Sequence, residues 1–202
     1  PFFMLAGELM NQGGITMRLV AFSQSLIGHV RGGLAHVNIL SSMLFAGLSG
    51  SAVADTSALG SMLIPAMVKN GYTRKFSAAI TAASSVIGPI IPPSGIMIIY
   101  AYTMEVSVAA LFAAGVVPGI LVGLGLMGMT ALLAKKHNFP VAGKKFTLRE
   151  KGVATRQAIL PLLTPVIILG GILAGIFTPT EAAAVAVAYA LLLSLFVLKT
   201  VR

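Results

Sequence analysis

Two short stretches gather the residues that could bind a small ion or molecule. They are Gly47-Leu-Ser-Gly-Ser-Ala-Val-Ala-Asp-Thr-Ser57 and Ser84-Ser-Val-Ile-Gly-Pro-Ile-Ile-Pro-Pro-Ser94. Ser49, Ser51, Thr56, Ser84, Ser85 and Ser94 supply neutral hydroxyl oxygens, hard ligands of the kind that suit a dehydrated Na⁺. The prolines Pro89, Pro92 and Pro93 each remove an amide donor and end a helix. An interrupted helix leaves carbonyls with partial negative charge at one end and amides with partial positive charge at the other. Carbonyl ends are expected near Phe45–Gly50 and Val86–Ile90, amide ends near Asp55–Ala58 and Ser94–Met97. Gly47, Gly50 and Gly88 allow the φ > 0 conformations that turn carbonyls inward.

The chemistry follows from those ends. One Na⁺ is expected where the turn Ser49-Gly50-Ser51 meets the break Gly88–Pro92, with Pro89 in it. Its nearest ligands are Ser49, Ser51 and the backbone at Gly88. A carboxylate is expected at the amide ends, near Asp55, Thr56, Ser84, Ser85, Pro93 and Ser94. Asp55 has an alternative role, capping the second half-helix through its side chain. Glu181 follows Thr178 by three residues with Pro179 between, and reads as a capping box, a structural role.

Hydrophobic residues make up 57% of the chain and charged residues 9%, far below the roughly 25% of soluble domains. Uncharged runs at 106–134 and 158–180 exceed the ~20 residues a helix needs to cross a bilayer. They do not alternate as barrel strands do. The class is an all-α polytopic membrane protein in contact with the lipid bilayer. The net charge of +9 does not point to nucleic acid, because seven of the 14 basic residues (Lys135, Lys136, Lys144, Lys145, Arg149, Lys151 and Arg156) fall in one segment. Such clustering marks a cytoplasmic connection. Without cysteine there is no disulfide, Cys-based metal site or thiol nucleophile. His29, His36 and His137 lack metal-ligand spacing, and the scattered methionines read as packing.

The expected elements are these: residues 1–32, the end of a membrane helix and an interfacial helix; 33–68, a re-entrant hairpin; 76–103, a broken membrane helix; 106–134, a helix kinked at Pro118; 135–156, a basic cytoplasmic loop; and 157–198, two further spans. The hairpin follows from length. Arg31 and the Lys69/Arg74/Lys75 cluster both mark the cytoplasmic face, and the intervening 36 or so residues make ~54 Å of helix, short of the ~60 Å that two spans need. The sequence opens on Pro1 with no initiator Met or signal-peptide pattern, and reads as a segment of a longer protein.

Gly7-Glu-Leu-Met, Arg31-Gly-Gly-Leu-Ala, Phe45–Asp55, Ala82–Ser94 and Gly175-Ile-Phe-Thr-Pro-Thr-Glu-Ala-Ala-Ala184 together closely resemble one family. It is the large membrane subunit of tripartite ATP-independent periplasmic (TRAP) transporters, DctM type, and the likeness covers essentially all 202 residues. The resemblance implies a multi-pass permease of the bacterial inner membrane with an elevator-type, inverted-repeat fold, of which one half is present here. It also implies Na⁺ coupling, no enzymatic activity, and no organic cofactor. The implied partners are a small membrane subunit and a periplasmic substrate-binding protein that delivers an organic acid, of the C4-dicarboxylate or sialic acid class. Two other readings stand beside it. A passive channel could select ions with the same carbonyls. A rhomboid-like intramembrane serine protease would use Ser49 in Gly47-Leu-Ser-Gly, but His36 would lie ~20 Å away along a helix.

Overall fold

The computed structural model describes residues 2–141 and 146–197. Pro1, residues 142–145 of the basic segment, and residues 198–202 with Lys199 and Arg202 lie outside the described residues. Those described are helical, with no strand among them: α1 Phe2–Gln12, α2 Ile15–Ile27, α3 Gly33–Ser49, α4 Ala52–Lys69, α5 Arg74–Ser85, α6 Gly95–Thr103, α7 Val108–Lys136, α8 Leu148–Leu173 and α9 Pro179–Leu192, which runs into a π-helical turn at Leu193–Val197.

Helix α3 is the axis of the molecule. It is apolar on nearly every face and buried at nearly every position, which is what such a composition requires. One layer of core closes over it from α1, α2, α4 and α9, built on Met10, Leu19, Phe45, Leu59 and Leu63. A second joins it to α4, α5 and the break, through Ile39, Met67, Tyr72, Ile80 and Ile87. A third cluster, Phe3, Phe112, Ile168, Ile172 and Ala186, ties α1, α7, α8 and α9 together.

Two helices, α7 and α8, are long and apolar enough to cross a membrane. Each keeps large apolar side chains outside the packed core: Val117, Leu121 and Leu132 on α7 are 62–71% exposed. In a soluble protein a patch of that kind would invite association; on this composition it is a face suited to lipid or to a neighbouring membrane helix. The inner side of α7 carries a stripe of buried glycines, Gly115, Gly119 and Gly123. A Cβ at Gly119 or Gly123 would run into Ile91 and Met43, so the stripe lets α3 and the break approach the α7 backbone.

The basic clusters meet at one end. Arg31 Nη1 donates to Asn138 Oδ1 at 3.3 Å, and the Gly32 amide donates to the Pro140 carbonyl at 3.3 Å. The Phe139 ring lies 5.1 Å from Tyr72 and 4.6 Å from Phe76. These contacts gather Arg31, the Lys69–Lys75 bend and Lys135–Lys136 on the same side of the molecule. From that end α3 reaches ~26 Å to the hairpin turn, whereas α7 extends ~44 Å from it.

Helix α8 starts at Leu148, inside the segment read from sequence as loop 135–156. Thr147 and Glu150 form a capping box, so residues 148–156 are the charged first turns of the helix. Thr178 and Glu181 make the same box at α9, with hydrogen bonds of 2.8 Å from the Thr178 amide to Glu181 and 3.3 Å from the Glu181 amide to Thr178 Oγ1. Helix α7 runs continuously through Pro118.

Candidate functional site

The hairpin turn is two residues long. Helix α3 ends on Gly50, left-handed at φ 58°, and Ser51 is extended and caps α4. Ser51 Oγ accepts from the Ala54 amide at 3.4 Å, and Ser49 Oγ accepts from the Ser51 amide at 3.4 Å. Ser51 therefore holds the place at the α4 amide end that the sequence offered to Asp55. Asp55 lies one turn further along and is fully buried, so its capping role is corrected. The amide end begins at Ala52, not at residues 55–58.

The broken helix is built alike. Helix α5 ends at Ser85 and continues as linked turns through Ile91, with amide-to-carbonyl bonds from Ile87 to Ser84, Gly88 to Ser85, and Ile91 to Ile87. Pro92–Pro93, joined by a cis peptide, stop the turns, and Ser94 caps α6 by accepting from the Met97 amide at 3.4 Å.

The turn and the break touch. A Cβ on Gly50 would overlap the Pro93 carbonyl and come within 3.1 Å of Ser94 Cα. A Cβ on Gly88 would lie 3.1 Å from the Ser51 carbonyl carbon and 3.2 Å from the Ala52 nitrogen. Gly47 faces Pro165 of α8 at 3.1 Å, and Gly7 of α1 passes Ser49 Cα at 3.0 Å. Positive φ is found at Gly50 but not at Gly88, so Gly88 is required by close approach rather than by backbone conformation. Ser49, Gly50, Ser51, Gly88, Pro89 and Pro92 are thereby brought into one neighbourhood, as read from sequence for an ion site.

Beside this contact lies a cavity of about 490 Å³. Ser49, Gly50, Ser51 and Pro89 line it, together with the first residues of α4 (Ala52, Val53), α6 (Gly95, Ile96) and α9 (Pro179, Thr180). Three helix N-termini thus border one cavity; α4 and α6 are capped by neutral serines and keep their partial positive charge, whereas that of α9 is offset by the Glu181 carboxylate. The α9 contribution was not read from the sequence. The signal was present in the Thr178–Glu181 box, which fixes a helix start, but not in where that start packs.

The residues expected to bind a carboxylate divide. Ser94 and Pro93 sit at the break, and Thr56 is exposed in a shallow depression with Ala52, Val53 and Ser57. Asp55, Ser84 and Ser85 are at most 1% exposed and do not line the cavity; they meet instead in the interior between α3, α4 and α5. They face away from the cavity, and the carboxylate of Asp55 carries the same sign of charge as an organic anion. Two partners of these residues, Asn38 and Ser42 on α3, were missed in the sequence. Their signal is the four-residue spacing, which sets two polar side chains on one face of an otherwise apolar helix. Ser49 and His36 stand on the same helix, 13 residues or ~20 Å apart, which leaves the serine without that base. Among the described residues no three His, Cys, Asp or Glu side chains group as a metal site.

The chain is similar in sequence to known proteins along its whole length. The family model "Tripartite ATP-independent periplasmic transporter, DctM component" matches residues 1–202. The sialic acid TRAP transporter large permease protein SiaM of Vibrio cholerae is 48% identical over 200 residues, 99% of this chain and 47% of the relative. The C4-dicarboxylate TRAP transporter large permease protein DctM of Pseudomonas aeruginosa is 48% identical over 202 residues, 100% of this chain and 47% of the relative. The sialic acid TRAP transporter permease protein SiaT of Haemophilus influenzae is 48% identical over 199 residues, 98% of this chain and 32% of the relative. The chain thus spans about half the length, or less, of these relatives. The chain belongs to the DctM-component family of TRAP transporters, a family of permeases rather than enzymes.

Proposed function

We propose that this chain forms the ion- and substrate-binding half-site of a multi-pass inner-membrane permease that imports an organic acid by Na⁺ symport. The observation that carries the reading is the contact of the Gly50 turn with the Gly88–Ser94 break beside a cavity bordered by three helix N-termini. The carbonyl ends of α3 and α5 meet there, and partial negative charge from both suits a weakly held, exchangeable Na⁺. The amide ends of α4 and α6 suit an anionic group on the cavity side, with the start of α9 forming the facing wall. Relatives named for sialic acid, C4-dicarboxylate and isethionate share an anionic oxyacid group, carboxylate or sulfonate, which is the part of a substrate that amide ends would recognise. A small membrane subunit and a periplasmic binding protein complete the working assembly in this reading. The test is uptake by the complete transporter in proteoliposomes, with its partners and an inward Na⁺ gradient. Uptake should saturate with substrate and fall to background when choline replaces Na⁺. Non-saturating flux without Na⁺ would favour a channel and defeat the proposal.

The hairpin is re-entrant in this reading, since its turn lies ~26 Å from the basic end, well short of the ~44 Å length of α7. The basic end faces the cytoplasm by the positive-inside rule. In this cysteine-free chain, a single cysteine at Glu105 should react with an impermeant maleimide added outside intact cells. One at His137, at the other end of α7, should not. Strong labelling at 137 and none at 105 would reverse the orientation.

A further inference from the structure

Asp55 is fully buried, and neither carboxylate oxygen has a hydrogen-bond partner. The hydroxyls of Ser42 and Ser85 lie beside it. Each hydroxyl also has a second acceptor within reach. Ser85 Oγ donates to the Thr81 carbonyl at 2.8 Å, and Ser42 Oγ donates to Ser84 Oγ at 3.0 Å. Ser84 Oγ has one proton and two acceptors in reach, the Thr81 carbonyl at 3.0 Å and Asn38 Oδ1 at 3.3 Å. Asn38 Nδ2 donates to Thr81 Oγ1 at 2.6 Å, and Thr81 Oγ1 donates to the Ser77 carbonyl at 2.8 Å. The network consists of neutral hydroxyls, an amide and carbonyls, with no cationic group among them, so the carboxylate has no counter-charge beside it. All of Asn38, Ser42, Asp55, Thr81, Ser84 and Ser85 are at most 1% exposed.

An ionised carboxylate in a dry interior is costly unless a positive charge lies beside it. The basic residues of the packed elements are remote. Lys69 lies ~21 Å from Asp55 along α4, and Arg74 lies ~16 Å from Ser85 along α5. On α3, His36 lies ~9 Å from Ser42. The donor set is all oxygen with a single negative charge, which matches a monovalent hard cation better than a divalent one, whose sites gather several carboxylates.

The geometry points to a second Na⁺ site, held by Asp55, Ser42 and Ser85 and backed by Asn38 and Ser84, in the interior one turn along α4 from the hairpin tip. It goes beyond the transport reading and does not depend on it, because binding is measured without transport. It also gives Asp55, Ser84 and Ser85 a common role, with an ion rather than with the organic acid.

The test is thermal unfolding of the purified complete permease as Na⁺ replaces choline at constant ionic strength. An ion bound only by the folded state stabilises it by mass action. The wild type should show a Na⁺ response steeper than one ion can give. Asp55→Asn removes the charge that needs compensation. Its melting temperature without Na⁺ should exceed that of the wild type, and its Na⁺ response should lose about one ion in steepness. Ser85→Ala and Ser42→Ala keep the charge and remove a ligand, so each should raise the half-effective Na⁺ concentration about tenfold, the equivalent of ~1.4 kcal/mol. If Asp55→Asn does not fold, the two serine variants decide. Gly50→Val, which disturbs the tip, should retain the Asp55-dependent part of the response. A wild-type Na⁺ response in Asp55→Asn and in both serine variants would overturn the site. So would stabilisation that follows pH and ignores Na⁺, because a proton would then hold the position.

Discussion

Gly50→Val should lower Na⁺-driven uptake by at least about a hundredfold while the protein still reaches the membrane. Two effects add. Gly50 is left-handed at φ 58°, a conformation that costs a residue with a Cβ roughly 1–2 kcal/mol and a β-branched one more. The added carbon would also overlap the Pro93 carbonyl, and backbone atoms cannot swing aside as a flexible side chain can. The turn must therefore lift from the break. A displacement of about 1 Å at a positioned site costs on the order of a hundredfold in rate. Uptake at a range of Na⁺ concentrations, with surface expression measured in parallel, checks it. A well-expressed variant with wild-type Na⁺ dependence would remove the ion from this contact.

Gly88→Val should abolish uptake as well, for a different reason, and Gly88→Ala separates the two. At Gly88 the backbone is not left-handed, and the constraint is the 3.1–3.2 Å approach of Ser51 and Ala52. An alanine there asks the tip to give by a few tenths of an ångström. Gly88→Ala should therefore keep transport and raise the Na⁺ concentration for half-maximal rate roughly three- to tenfold, about 1 kcal/mol of lost affinity. Valine adds branches that the close approach has no room for. If Gly88→Ala and Gly50→Ala had equal effects, the distinction between conformation and approach would fail, because Gly50→Ala meets both obstacles.

The sequence carried the breaks more clearly than what packs on them. Prolines at 89, 92 and 93 and a glycine at 88 cannot continue a helix, so the interruption between α5 and α6 was legible from local chemistry alone. The turn at Gly47–Ser51 was equally legible, but its cap was not. Ser51 and Asp55 are both good capping residues, and only the backbone decides that Ser51 is extended and Asp55 already helical. The start of α8 was hidden by its charges. Leu148-Arg-Glu-Lys reads as a basic loop by charge and as a helix by propensity, and the Thr147–Glu150 box decides for the helix. The convergence of α9 on the cavity and the joining of Asn38 and Ser42 to Asp55 were beyond local reading. Both depend on which faces meet across helices far apart in the chain.

In the proposed function the cavity between the hairpin tip, the α6 start and the α9 start receives the organic acid together with Na⁺. Thr180 lines that cavity and is exposed, and it lies outside the tip–break contact. The direct measurement is the rate at which a small thiol reagent modifies Thr180→Cys in the complete transporter. Leu148→Cys, at the exposed start of α8, serves as the control. With Na⁺ and the delivered substrate both present, modification at 180 should slow several-fold, while either alone should do less and position 148 should not change. Equal rates at 180 under all conditions, for a variant that still transports, would contradict the placement of the site.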